Sequence, residues 1–135
     1  MNKVKSSTEK QERWIAFGAI ICGLYVILGA FGAHGLENKL NADQLQTYHT
    51  GLRYMIIHGL AMILINLSNY KLQKNNSAVN YLLVAGLVLF SLSLVIHACK
   101  SLLGIEINMF ALFAPIGGLS FVAAWFLYAY TVLKK

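Results

Sequence analysis

The side chains able to carry chemistry are few: His34, His49, His58 and His97, with Glu37, Asp43, Arg53 and Glu106 near them along the chain. Imidazole changes charge near neutral pH, so a histidine within an apolar run is a candidate for proton transfer, substrate contact or metal ligation. His58 is expected to be the deepest of the four, about 15 Å beyond Tyr48 if its helix enters the apolar region there. The plainer expectation for His58, and the preferred one, is a satisfied interhelical hydrogen bond. Tyr54 and His58 share one helical face and His49 and Arg53 share another, so the two pairs should meet different neighbours rather than form one triad. A metal would need His34, His49 and His97 to converge with Glu37 or Glu106. The chain has neither close Cys/His spacing nor a His-Glu-x-x-His pattern, and no metal or cofactor is implied. Arg53 is read as an anchor reaching headgroups or a carboxylate, with anionic-substrate recognition as the sharper alternative, and Lys100 as interfacial. Ser91 and Ser93 are expected to hydrogen-bond within the fold, since nothing near them activates a nucleophile.

The elements that must position these residues follow from composition. Of the 135 residues, 58% are hydrophobic and 12% charged, with a mean hydropathy of +0.61. A soluble domain carries about 25% charged residues. Trp14–Ala33, Tyr54–Leu67, Ala78–Cys99 and Met109–Leu133 form four apolar runs. About twenty apolar residues cross a membrane as a helix, and none of the runs alternates as a barrel strand does. The fold class is therefore all-α, an integral membrane four-helix bundle. Its helices are expected at about 14–34, 42–69, 78–103 and 109–133, in one domain over residues 14–135. Residues 1–13 are expected to be a polar, basic tail, mobile or lying on headgroups. No room remains for a separate aqueous catalytic domain. A signal peptide cleaved after Ala30 or Ala33 is the competing account of the first run, but that run is too long for a signal core and Trp14 resembles an interfacial anchor.

Lys3, Lys5, Lys10, Arg13, Lys71, Lys74, Lys134 and Lys135 fall on one side of such a bundle, and Lys39, Arg53 and Lys100 on the other. The positive-inside rule then places both termini in the cytoplasm. The net charge of +6 is spread over tails and short loops without interleaved aromatics, so anionic lipid headgroups are the expected partner and nucleic acid is not. Cys22 and Cys99 should lie at different depths, too far apart for a disulfide.

Asn41-Ala42-Asp43-Gln44 predicts a capped helix start near Ala42, with Asn in place of the usual Ser or Thr. The polar Tyr70–Ser77 segment makes an antiparallel hairpin of the second and third helices, Gly104 can end the third, and Asn108 can cap the fourth. Gly29, Gly32 and Gly35, with Gly18 and Gly23 further along, predict close packing that makes the first helix central to the bundle, or else a ligand crevice. Pro115-Ile116-Gly117-Gly118 predicts a kink in the fourth helix. The alternatives are an unwound segment lining a polar site and an almost straight helix that tolerates the proline.

Gly29-Ala30-Phe31-Gly32-Ala33-His34-Gly35-Leu36, Thr50-Gly51-Leu52-Arg53-Tyr54 followed by His58, Leu89-Phe90-Ser91-Leu92-Ser93-Leu94, and Pro115-Ile116-Gly117-Gly118-Leu119-Ser120-Phe121 with Trp125 resemble the small YwdK/YgdD-like bacterial membrane protein family. The similarity runs from Trp14 to Leu133. It implies four helices in the bacterial cytoplasmic membrane, with relatives in eukaryotes, and brings no established reaction, substrate or cofactor. Gly29, Gly32, Ala33, His34, Tyr54, His58, Ser91, Ser93, Pro115, Gly117 and Gly118 match the family's signature positions. Arg53 stands where some relatives carry an acidic residue, and Leu92 and Val95 replace small and aromatic residues of the third motif.

The function these readings favour is a non-enzymatic bundle acting through a membrane-protein or lipid partner, with a homo-oligomer among the options. The alternative is a small oligomeric transporter or channel for a small molecule, ion or proton, built on His58 and the Pro115–Gly118 irregularity. A membrane-embedded enzyme ranks third.

Overall fold

The computed structural model describes residues 2–72, 76–104 and 109–134. Helix α1 spans Asn2–Phe31 and continues into a π-helical segment, Gly32–Leu36. It therefore starts well before the Trp14 boundary that hydropathy marks, because the Lys, Glu, Gln and Arg residues ahead of Trp14 are good helix formers. Gln11 is buried and Trp14 stands edge-on to Tyr81 at 5.3 Å, so the end of the polar stretch packs on the bundle as part of α1.

Helix α2, Ala42–Leu72, begins where its cap predicts. The Asn41 backbone N–H donates to Gln44 Oε1 at 3.0 Å and the Gln44 N–H donates to Asn41 Oδ1 at 2.9 Å. Asn thus completes the reciprocal cap usually built on Ser or Thr, satisfying two end amides. The third apolar run is one rod of several parts: α3, Ser77–Gly86; a π-helical segment, Leu87–Leu92; α4, Ser93–Ala98; and α5, Lys100–Leu103. Cys99, at φ −90° and ψ 4°, separates α4 from α5, and Gly104 ends α5 in the left-handed region at φ 65°, which costs glycine no Cβ clash. Asn108 and Glu106 lie outside the described residues.

Helix α6, Met109–Leu133, runs through Pro115 without a break. The unwound segment weighed for Pro115–Gly118 does not form. Pro115 lies past the first turn, so it removes one intrahelical hydrogen bond and crowds the carbonyl four residues back, and the helix continues through both.

Four helices are long and apolar enough to cross a membrane. Half of the most apolar window of α2 is buried and 44% of that in the third rod, against 11% in α1 and 17% in α6. The first helix is therefore peripheral, contrary to the expectation from its glycines. Only one of its faces is small. Gly18 and Gly32 meet α2, while Ile20, Val26, Ile27 and Phe31 point outward. A Cβ on Gly29 or Gly23 would meet nothing within 4 Å, so neither makes a packing contact. The core lies along α2 and the third rod, around Leu52, Met55, Met62, Ile65, Val79, Leu83 and Leu87.

Candidate functional site

The buried histidine is His58, on α2, 4% exposed and packed against α6. Its Nδ1 lies 2.8 Å from the Tyr54 carbonyl oxygen one turn back, and the Trp125 indole N–H donates to its Nε2 at 3.3 Å. An indole N–H can only donate and a carbonyl can only accept. The network therefore assigns the hydrogen to Nδ1 and the lone pair to Nε2. The ring stacks on Phe121 at 3.5 Å between centroids and 10° between planes, and Tyr54 packs on Phe90 at 4.4 Å. The Tyr54 and Trp125 rings reach the outer surface while His58 and Phe121 stay inside. The cluster thus fills its space and leaves neither ring nitrogen without a partner.

The third rod carries a π-helical segment, Leu87–Leu92, that faces this cluster. The Ser93 backbone N–H bonds the Phe90 carbonyl, and the Ser93 hydroxyl donates to the Leu89 carbonyl at 2.6 Å. That hydroxyl supplies a partner where the wider turn takes the backbone donor away. Glycines on both neighbours let the bulged backbone approach closely. A Cβ on Gly51 of α2 would stand 2.8 Å from the Ser91 carbonyl oxygen, and a Cβ on Gly117 of α6 would collide with the backbone of Leu89 and Phe90. Gly118 makes only ordinary contact with the Phe90 ring. Ser93 hydrogen-bonds as expected, but Ser91 does not: its hydroxyl is fully buried without a partner. Pro115 itself is exposed.

The other histidines are dispersed. His34 is exposed within the Gly32–Leu36 segment, and His49 is exposed on the side of α2 that borders α1. His97 is half-buried in α4, its Nδ1 without a partner. Among the described residues no three His, Cys, Asp or Glu side chains converge as a metal ion would require. Gly32 packs against the Tyr48 ring, whose hydroxyl donates to the Leu28 carbonyl at 2.7 Å and ties α2 to α1. Gly35 meets only Phe31 of its own helix. Arg53 and His49 line a groove against α1, while Tyr54 and His58 face the third rod and α6, as their helical spacing requires. Cys22 and Cys99 are free.

Sequence reading missed a second polar centre. Asn66 of α2 and Asn80 of α3, each 1% exposed, exchange two amide hydrogen bonds of 2.9 Å, and Asn66 also donates to the Met62 carbonyl at 2.7 Å. Asn76 donates to Asn69 at 2.8 Å near the same end of the hairpin. The available signal was asparagine recurring inside apolar runs. An amide in hydrocarbon demands a partner, and the hairpin places one opposite.

Fold and site together define a small multi-pass helical membrane protein in which His58 and the Asn66–Asn80 pair bond across its helices. Residues 28–118 match the family model described as "Protein of unknown function (DUF423)". The chain is 37% identical over 123 residues to the UPF0382 membrane protein YwdK of Bacillus subtilis, covering 90% of this chain and 96% of that protein. It is 38% identical over 112 residues to the UPF0382 membrane protein SSP2132 of Staphylococcus saprophyticus, covering 83% and 89%. The chain belongs to this family of small bacterial proteins of the cytoplasmic membrane. No solved structure matches it.

Proposed function

We propose that this protein is a non-enzymatic membrane bundle that acts by lateral association with a membrane protein or with lipid, both termini facing the cytoplasm. The observation that carries the reading is the distribution of burial. Helices α1 and α6 keep most of their apolar surface outward, through Ile20, Val26, Ile27 and Phe31 on one and Leu112, Leu119, Phe126 and Leu133 on the other. Such faces are covered by acyl chains or by another helix, and helix contacts in lipid are selective through shape and polar groups. Pairing of both His58 nitrogens supports a structural interior. The transporter alternative has less support, since Pro115–Gly118 is continuous helix and the His58 cluster is packed. The distribution of lysine and arginine supports the orientation.

Crosslinking in native membranes followed by mass spectrometry tests the reading. The expected result is one reproducible protein or lipid species. A solitary particle with no selective association overturns it.

A further inference from the structure

We infer that the groove between α1 and α2 around Arg53 binds the phosphate of an anionic amphiphile. The groove holds about 420 Å³ and is lined by Tyr25, Gly29, His49, Leu52, Arg53 and Ile56. Arg53 is exposed on α2, one residue before the Tyr54–Leu67 apolar run, which puts it at the edge of the hydrocarbon. A guanidinium keeps its charge, and at that edge it is stabilised by a counter-charge or by water. Among the described residues no carboxylate lines the groove, and Arg53 has no ion pair or hydrogen bond.

Helical side chains lean toward the N-terminus of their own helix. The Arg53 stem therefore runs toward His49, one turn back, and toward the Ala42 end where headgroups lie, the direction in which a long cationic side chain snorkels. There the guanidinium fork matches two phosphate oxygens and His49 adds a ring N–H donor. Below them Leu52, Ile56 and the open space beside Gly29 suit a hydrocarbon chain. The shared chemistry is a phosphate oxyanion, and the apolar walls favour a phospholipid over free phosphate as its source. This site rests on the lipid arm of the association reading and specifies the lipid class.

The test uses the full chain carrying benzoylphenylalanine at Ile56, in vesicles of equal phosphatidylglycerol and diglucosyldiacylglycerol, a neutral lipid without phosphate, with photo-adducts identified by mass spectrometry. One charge-assisted contact predicts roughly tenfold enrichment of phosphatidylglycerol adducts. Arg53→Gln should abolish the enrichment, and Arg53→Lys should retain part of it, since the charge survives but the fork does not. Arg53 is exposed, so unchanged helicity of the Gln variant separates lost binding from lost folding. Competition by inorganic phosphate assigns the site to free phosphate, and its failure assigns the lipid. Equal adducts in the parent protein, or enrichment that survives Arg53→Gln, overturns the proposal. A protein partner captured in native membranes alongside equal adducts would sink this site and leave the association reading standing.

Discussion

His58 and the Asn66–Asn80 pair occupy equally protected positions, yet their side chains are held differently. His58 is clamped between an acceptor on its own helix and a donor on α6, so its tautomer is dictated by neighbours that cannot exchange roles. His58→Phe keeps the stack on Phe121 and removes the Trp125 bond. An interhelical hydrogen bond in a membrane contributes about 0.6 kcal/mol on average and up to about 1.7. A loss in that range is expected in reversible unfolding from mixed micelles; a much larger one would mean that His58 holds more than this bond. Asn66→Leu instead leaves the Asn80 amide buried without its partner, at about 1–3 kcal/mol. The double variant with Asn80→Leu should recover part of that loss. If it is as unstable as the two single losses combined, the reciprocal pair is not the source of the effect.

At the scale of elements, the third rod departs most from a regular helix, and its neighbours are shaped to admit it. The Leu87–Leu92 segment is wider than an α-turn, and Gly51 and Gly117 provide the clearance on its two flanks. Gly117→Ala should therefore destabilise the protein by about 1–3 kcal/mol, because the added methyl meets backbone that cannot rotate away. Gly29→Ala should be close to neutral, since its methyl enters open space. Thermal melting of the two variants side by side checks the contrast, and equal melting temperatures would contradict the packing described. The need for a small residue at Gly32 was readable from spacing in an apolar run, whereas Gly117 was read as easing a bend after Pro115. Their partners were not readable, because the Gly29–Gly35 pattern does not say which face of α1 meets α2.

The whole molecule is asymmetric in burial: α2 and the third rod form the protected centre, while α1 packs mainly on α2 and α6 mainly on the third rod. Two outward apolar faces follow from that order. Crosslinkable cysteines at Val26 of α1 and Phe126 of α6 should each capture a constant neighbour in native membranes if the faces are recognition surfaces. Capture of bulk lipid alone at both positions would reduce them to solvent-facing surfaces in a bilayer. Reporter fusions at each end should both read cytoplasmic, as the positive-inside rule predicts from the eight basic residues on the terminal side. A terminus that reads on the opposite side would overturn the orientation.

The sequence by itself determined the number of spans, their helical nature, the Asn41–Gln44 cap and the Gly104 stop, because each depends on length, hydropathy or chemistry between residues a few positions apart. It also separated the His49–Arg53 face from the Tyr54–His58 face through helical period alone. Tertiary structure decided which helices are central, where the backbone departs from the α-helix, and which polar groups pair. Those outcomes depend on the face each helix turns to its neighbour and on contacts such as Trp125 with His58 or Asn80 with Asn66, between residues far apart in the chain. Four runs of similar hydropathy do not encode that choice locally. It arises when bulky and small faces are fitted against one another and the few polar groups in the interior must find partners.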